Sequence, residues 1–279
     1  MTEEEINDQN DDTTESTPSA WKRYFLQLSY DGTNYHGWQR QPNSHSVQEE
    51  IEQSLRKLLR QERVVTVGCG RTDTGVHARD FYMHFNVENP EMNKHDILFK
   101  LNMMLPSDIG VYKLWQVRDR ASARFDAIER SYEYHIHQQR DPFITRFSTF
   151  YPWPLNLEDM NEAAAIMLEY EDFSAFCKSG GGQKTTLCDL REARWIREDY
   201  KLVFHITANR FLRNMVRSVV GTLIEVGKGK MNLEQFREVI EGGKRTRAGE
   251  SVAPQGLHLT KIIYPQERIE PIGEIVTVR

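Results

Sequence analysis

The first regular pattern in the sequence is an alternation of hydrophobic and polar residues. Every second residue from Tyr24 to Tyr30 is apolar, and the pattern ends at Asp31-Gly32. A period of two places these side chains on one face of an extended backbone, and Asp-Gly favours a turn. The alternation predicts a strand that begins near residue 23 and runs into a turn.

A helical period follows this strand. Ser46-Val47-Gln48-Glu49 has the form of a capping box, and apolar residues then recur three or four positions apart as far as Leu59. This pattern predicts a helix over about 46–61. The first half is completed by predicted strands over 64–68, 80–87 and 109–117 and by a predicted helix over 93–105. The resulting order is βαββαβ.

The same order recurs after Arg124. We predict strands over 129–138, 190–197, 201–208 and 258–264, a helix over 157–168, and helices from 210 onward. A βαββαβ unit is the split-βαβ motif of ferredoxin-like folds, in which helices cover one face of an antiparallel sheet. The pattern predicts an α+β fold of two ferredoxin-like halves whose antiparallel sheets merge around a central cleft.

These elements divide the chain into segments. We expect an N-terminal α+β domain over 21–122, a C-terminal α+β domain over 123–266 and a tail over 267–279. Residues 1–20 contain seven acidic residues, no lysine or arginine and almost no apolar residue, which predicts a disordered acidic leader. The glycine-rich segment 178–187 is expected to be a mobile loop.

Charge and composition narrow the class of protein. The formal net charge is -5, but after the leader 36 basic residues face 34 acidic ones, so the folded part is mildly basic. The sequence contains neither the apolar run of roughly 20 residues that spans a bilayer nor a signal peptide. Three widely spaced cysteines form no disulfide framework and no metal-binding pair. These features predict a soluble, cytoplasmic protein without a membrane partner.

The loop Gly70-Arg71-Thr72-Asp73-Thr74-Gly75 joins two predicted strands, and its glycines permit tight turns and the close approach of a ligand. A dinucleotide-binding fingerprint would need glycine in place of Asp73, and a Walker loop would need Gly-Lys in place of Gly75-Val76. Asp73 and Arg71 remain as candidates for chemistry. They are also compatible with a turn-capping carboxylate and a solvated cation, and spacing alone leaves both interpretations open.

Three arginines form a second candidate group. Arg210, Arg213 and Arg217 have the spacing that places them on one face of the helix predicted from 210. This face could bind phosphates or a buried carboxylate, or it could be a solvated basic stripe. Arg217 differs from the others because it lies among apolar residues, where an unpaired charge is costly. We therefore expect Arg217 to have an anionic partner.

Aromatic residues mark the first strand of the second half. In Arg130-Ser131-Tyr132-Glu133-Tyr134 the alternation puts Tyr132 and Tyr134 on one face, where they could stack on bases or belong to the core. His135 and His137 also share a face but have no third ligand nearby. No metal site is predicted here.

Together these segments resemble the bacterial tRNA pseudouridine synthase A family from about residue 23 to 265. The most specific blocks are Tyr30-Asp31-Gly32-Thr33, Gly37-Trp38-Gln39 and the segment from Gly70 to Ala78. Further blocks follow in the family's order: Leu101-Asn102 with Leu105-Pro106, Ala123-Arg124-Phe125, Tyr132-Glu133-Tyr134, Phe211-Leu212 with Met215-Val216-Arg217, Val220-Gly221, and Ala253-Pro254 with Gly256-Leu257. The leader and the residues after Pro265 lie outside the resemblance.

The resemblance implies that Asp73 is the catalytic carboxylate of an isomerase that converts uridine to pseudouridine in tRNA. This reaction breaks the bond between N1 and C1′ and rejoins uracil through C5, without net oxidation or gain of atoms. The resemblance therefore implies no cofactor and no metal. The carboxylate could attack C1′ or remove a ribose proton, and both roles need an ionised group close to the sugar.

The resemblance also implies roles for four other residues. Arg217 matches the arginine that forms a salt bridge with the catalytic aspartate, keeping it charged and holding its oxygens in place. Tyr132 matches the tyrosine that stacks on the target base and assists in removing the C5 proton. We expect Arg71 to fill the space left by the flipped nucleotide and Leu257 to form part of the apolar wall of the pocket.

The family's substrate is the anticodon stem-loop, with uridines at tRNA positions 38, 39 and 40, and its members are homodimers. The resemblance thus implies tRNA and a second copy of the chain as partners, and a dimer could concentrate positive potential that the net charge hides. Two alternatives stay open. One is an RNA-binding protein with two ferredoxin-like modules and no activity; the other is a related synthase with different target uridines.

Overall fold

The computed structural model describes residues 21–88, 92–178 and 184–278. The strands in these ranges are β1 (Trp21–Tyr30), β2 (Thr66–Gly68), β3 (His77–Glu88), β4 (Ile109–Val117), β5 (Glu129–His137), β6 (Thr149–Phe150), β7 (Leu190–Glu198), β8 (Lys201–Ala208), β9 (Leu257–Ile263) and β10 (Ile272–Thr277). The α-helices are α1 (Val47–Leu59), α2 (Lys94–Met104), α3 (Leu157–Ile166), α4 (Met215–Gly227) and α5 (Leu233–Glu241).

The strands form one sheet that crosses the whole molecule. Its order is β10-β4-β1-β3-β9-β5-β8-β7, with β2 paired to β3 and β6 paired to β5. Neighbouring strands run antiparallel except at β3–β9 and β5–β6, which run parallel. Strands of the first half lie on one side of the β3–β9 pair, together with β10, and strands of the second half lie on the other.

The two halves join where β3 runs beside β9. This pairing is two residues long, His77 with His258 and Ala78 with Leu259. The imidazole rings of His77 and His258 stack with their centroids 4.8 Å apart, and both side chains are buried. The join therefore fixes the first residues of β3, and with them the loop before β3, against the second half.

Local sequence explains the first helix. The Ser46 hydroxyl accepts a hydrogen bond from the Glu49 N–H at 3.3 Å, which satisfies a donor that the helix itself leaves free. The apolar face of α1, from Val47 to Leu55, is buried in a core with side chains of β1 and β3. A second core surrounds α3, α4 and α5 in the other half. Each half of the sheet thus has its own hydrophobic core.

The predicted α+β class is confirmed, and β4 occupies the predicted range of 109–117. The helix predicted from 210, however, begins at Met215. Asn214 before it has a left-handed backbone with φ 64°, a conformation that a right-handed helix cannot continue through. Arg210 and Arg213 therefore precede α4, and the prediction that they share a helix face with Arg217 is wrong.

The C-terminal segment contributes a strand that the sequence did not predict. β10 pairs with β4, and its Val276 side chain is buried in the first-half core. The other β10 side chains are exposed, so the strand carries too little alternation to be recognised. The predicted leader over 1–20 and residues 179–183 of the predicted mobile loop lie outside the described residues.

Candidate active site

The loop between β2 and β3 carries Asp73 and ends at the join between the halves. The Asp73 carbonyl accepts a hydrogen bond from the Val76 N–H at 3.1 Å, which closes a tight turn. Gly75 within this turn has φ 76° and donates its N–H to the Tyr35 carbonyl at 3.2 Å. The chain then enters β3 at His77. Asp73 thus stands on a hydrogen-bonded turn directly before the residue pairs that connect the halves.

The hydroxyl of Thr72 anchors this loop to the first strand and the turn after it. Thr72 Oγ1 accepts the Trp38 N–H at 3.1 Å and lies 2.8 Å from the Tyr30 hydroxyl. Tyr30 and Trp38 are buried, so both partners are themselves held by the core. The sequence placed Tyr30 on the apolar face of the first predicted strand and both residues in family blocks, and the structure shows what they contact. They fix the residue next to Asp73.

Gly37 allows the two segments to approach this closely. Its φ is 87°, in the left-handed region, and a Cβ built on it would lie 2.2 Å from the Thr72 carbonyl oxygen. Glycine alone satisfies both conditions without strain. The block Gly37-Trp38-Gln39 is therefore a packed corner beneath the loop that carries Asp73.

Asp73 faces Arg217 of α4 across the join. Arg217 Nη1 lies 3.4 Å from Asp73 Oδ2, so the ion pair that the resemblance implies is present. The Asp73 side chain is 34% exposed and the Arg217 side chain 19%. The carboxylate is accessible to a ligand, whereas the guanidinium is largely enclosed. The ion pair therefore joins a carboxylate that solvent can reach to a cation that the protein largely encloses.

The segment before β9 holds Arg217 in place. Arg217 Nε donates to the Val252 carbonyl at 2.7 Å, and the Val252 N–H donates to the Arg217 carbonyl at 3.1 Å. Gly221 makes room for this segment, because a Cβ there would lie 1.7 Å from the Glu250 carbonyl oxygen. With Nε engaged, the guanidinium directs a terminal nitrogen towards Asp73.

Tyr132 lies on β5 at the boundary between the two cores and packs partly buried against both. Its ring meets that of Phe211 edge-to-face, with the centroids 5.1 Å apart. Burial raises the pKa of the Tyr132 hydroxyl, and the negative charge of Asp73 acts in the same direction. The phenol is therefore protonated at neutral pH, beside the carboxylate.

Arg71 and Leu257 occupy different environments. Arg71 is exposed on the loop, two residues before Asp73. Leu257 begins β9, pairs with Tyr134 of β5 and is buried in the second-half core, one residue before the join at His258. The roles expected of Arg71 and Leu257 remain predictions.

The described ranges contain neither a candidate metal-binding cluster nor a helix suited to crossing a membrane. Within them, no three His, Cys, Asp or Glu side chains are grouped so that they could hold a metal ion. None of the helices in those ranges combines the length and apolar character needed to cross a membrane. The groups assembled at the loop are a carboxylate, a guanidinium and an aromatic ring.

A family model described as tRNA pseudouridine synthase matches residues 28–126 and 164–265. The matched ranges contain Asp73, Arg217 and Leu257, and Tyr132 lies between the two ranges. The match therefore covers both partners of the ion pair, one in each matched range.

Curated relatives are similar over most of the chain. The tRNA pseudouridine synthase A of Bacteroides fragilis is 46% identical over 250 residues, covering 89% of this chain and 99% of the relative. That of Parabacteroides distasonis is 45% identical over 246 residues, covering 88% and 97%. That of Streptococcus agalactiae is 36% identical over 249 residues, covering 88% and 96%.

The contact beneath the loop yields a prediction on stability. Gly37→Ala should lower the free energy of unfolding by roughly 1–3 kcal/mol from backbone strain alone, with the clash against the Thr72 carbonyl adding to it. Urea denaturation followed by tryptophan fluorescence measures the change.

Gly70→Ala is the matched control, because a Cβ at Gly70 meets no atom within 4 Å. Its free energy of unfolding should stay within about 0.5 kcal/mol of wild type. Equal stability of Gly37→Ala and wild type would show that Gly37 does not support the loop.

Proposed function

The chain belongs to the tRNA pseudouridine synthase family, and on that basis we propose that it modifies uridines 38, 39 and 40 of the anticodon stem-loop with Asp73 as catalytic carboxylate. Family membership makes the protein an isomerase that converts uridine in tRNA to pseudouridine. The assignment of Asp73 rests on one observation. Its carboxylate is accessible and lies 3.4 Å from a cation that the other half of the molecule supplies.

The isomerisation exchanges one bond of the nucleoside for another. The bond between N1 and C1′ breaks, uracil turns, and C5 bonds to C1′, while C5 loses a proton and N1 gains one. A carboxylate can contribute by attacking C1′ or by removing a ribose proton. Both roles require an ionised group that can reach the sugar. Asp73 suits both, because its side chain is partly exposed and Arg217 supplies the compensating positive charge.

Tyr132 is proposed to hold the target base. Its edge-to-face contact with Phe211 fixes the plane of the ring, and its position on β5 brings it near Asp73. A fixed aromatic ring can stack on a flipped pyrimidine and retain it after the bond to the ribose has broken. Because the phenol is protonated at neutral pH, stacking is the role that it fits most directly.

Access to C1′ requires the uridine to leave its helical stack, which costs a few kcal/mol. We propose that Arg71 fills the vacated space and that Leu257 contributes to the apolar wall around the base. Arg71 is exposed on the same loop as Asp73, so it can reach into a bound RNA. The burial of Leu257 beside the join suits a residue that shapes a pocket without contacting solvent.

We also propose that domains 21–122 and 123–266 are two ferredoxin-like halves. When the two-residue strand β6 is left out and the other strands of each half are numbered along the chain, both halves follow the order four-one-three-two: β4-β1-β3-β2 and β9-β5-β8-β7. The cleft for RNA would then follow the join. A superposition of the halves in which these strands coincide tests the proposal.

We further propose that a cytoplasmic homodimer binds the tRNA. The chain after the leader is only mildly basic, so positive potential must be concentrated locally. Arg71 on the loop, Arg124 between the halves and Arg213 before α4 are exposed. A dimer would present two such sets of arginines to one RNA, whose phosphates they can contact.

Asp73→Asn should lower the rate of pseudouridine formation by on the order of 10³-fold or more, because an amide neither attacks C1′ nor accepts a proton. The measurement is pseudouridine formation in unmodified tRNA transcripts, with the modified positions mapped. Wild type is expected to modify uridines 38, 39 and 40.

Asp119→Asn is the matched control, since Asp119 is an exposed aspartate between β4 and β5, and it should retain wild-type activity. An Asp73→Asn protein as active as wild type would refute the assignment of Asp73. Modification confined to uridines outside the anticodon arm would refute the substrate assignment in favour of a related specificity. If wild type binds tRNA without modifying it, the interpretation as an RNA-binding module gains support.

The proposed dimer has a direct test. Light scattering of the purified protein should give about twice the chain mass of 32.7 kDa. A mass of one chain across the micromolar range, with only one chain present in the complex when tRNA is added, would contradict the dimer.

A further inference from the structure

Arg130 joins three backbone segments around the candidate site through four carbonyls. It is the second residue of β5 and precedes Tyr132 by two positions. Both terminal nitrogens of its guanidinium donate to backbone carbonyls. The acceptors are Ala127 and Asn209 for Nη1, both at 2.8 Å, and Arg124 at 2.8 Å and Cys69 at 3.1 Å for Nη2.

Two of these carbonyls belong to the segments that carry the ion pair. Cys69 follows β2 directly and lies four residues before Asp73. Asn209 follows β8 directly and opens the segment that leads into α4 and Arg217. The other two carbonyls belong to the connection between the halves. One guanidinium thus ties together the base of the Asp73 loop, the approach to Arg217 and the chain that crosses between them.

We propose that Arg130 is a positioning residue for pseudouridine formation, holding Asp73 and Arg217 in register across the join through the backbone of both segments. The inference rests on the proposed function, because it presupposes that Asp73 is catalytic. Arg130 acts through main-chain carbonyls and not on the substrate.

Both segments are also anchored on their far sides. The Cys69 N–H donates to the Tyr82 carbonyl of β3 at 2.8 Å. The Asn209 N–H donates to the Asp189 carbonyl at 3.0 Å, and the Asn209 side-chain oxygen accepts the Asp189 N–H at 2.9 Å. Each segment is therefore fixed within its own half, and Arg130 supplies the link from one half to the other.

The arrangement requires arginine in particular. A guanidinium holds its N–H groups in one plane on separate nitrogens, so two nitrogens can serve four carbonyls at once. Hydrogen bonds from a charged donor are also stronger than those from a neutral one. The ammonium of lysine donates from a single point and cannot span carbonyls arranged around two nitrogens. Lysine at this position would keep the charge and lose the bridge.

Arg130→Lys should lower kcat by roughly 10- to 100-fold, because small misplacements of catalytic groups carry penalties of that size. KM for tRNA should change less than kcat, since the exposed arginines proposed to contact the RNA are themselves unchanged. Arg23→Lys is the matched control: Arg23 is a half-buried arginine of β1 whose Nη1 donates to the Ala121 carbonyl at 2.8 Å. It should retain the wild-type kcat.

A second measurement separates positioning from a general loss of structure. Combined with Arg217→Lys, Arg130→Lys should reduce kcat by less than the product of the single effects, because both changes disturb the same geometry. Urea denaturation of each variant gives the folded fraction. Arg130→Gln can donate to at most two carbonyls and should lose at least as much kcat as Arg130→Lys.

Four results would overturn the inference: an unchanged kcat in Arg130→Lys, a loss confined to KM, multiplicative losses with Arg217→Lys, or a loss of kcat explained by unfolding in both Arg130 variants. An inactive wild type or a fully active Asp73→Asn would instead refute the proposed function. The two failures are therefore distinguishable in one set of assays.

Discussion

The short parallel pairing of β3 with β9 is the constraint on which the site depends. Each half of the sheet packs its own helices, and the two hydrophobic cores meet at this pairing: Val76 belongs to the second-half core, and Leu259 of β9 belongs to the first-half core. Two residue pairs, at His77 and Ala78, connect the halves directly in the sheet. Because the Asp73 loop ends at His77, the pairing determines where its carboxylate meets the second half. The ion pair with Arg217 is a consequence of that register.

This ion pair matters more for the geometry of the site than for the stability of the fold. A partly exposed pair contributes about 0–1 kcal/mol to folding, yet both of its partners are held by many contacts. The Thr72 hydroxyl accepts the Trp38 N–H and lies within hydrogen-bonding distance of the Tyr30 hydroxyl on one side, and the Val252 carbonyl accepts a hydrogen bond from Arg217 on the other. Close approaches at Gly37 and Gly221, where a Cβ would collide with a carbonyl oxygen, permit both arrangements. Many local contacts therefore hold in place an ion pair that itself contributes little to the stability of the fold.

The sequence predicted the elements well where periodicity was strong. The strand over 109–117 and the helix after Ser46 follow from alternation and capping, which are local properties. The prediction from sequence was wrong where a single residue or a tertiary contact determines the local structure. Because Asn214 has a left-handed backbone, α4 begins later than predicted. Because most side chains of β10 are exposed, their alternation is too weak to predict a strand. The family resemblance identified Asp73 and Arg217 as partners. The contacts of Arg130 and Thr72, in contrast, involve backbone atoms or hydroxyls that only the fold brings together, so the spacing of residues in the sequence does not predict them.

We propose that the action of Asp73 depends on Arg217 from the opposite half. The decisive measurement is single-turnover pseudouridine formation by Arg217→Met, at saturating enzyme and with tRNA binding measured in parallel. We expect a rate constant lower by on the order of 10²-fold, with an affinity for tRNA that changes far less. A rate constant equal to wild type, or a loss that appears only in affinity, would contradict it.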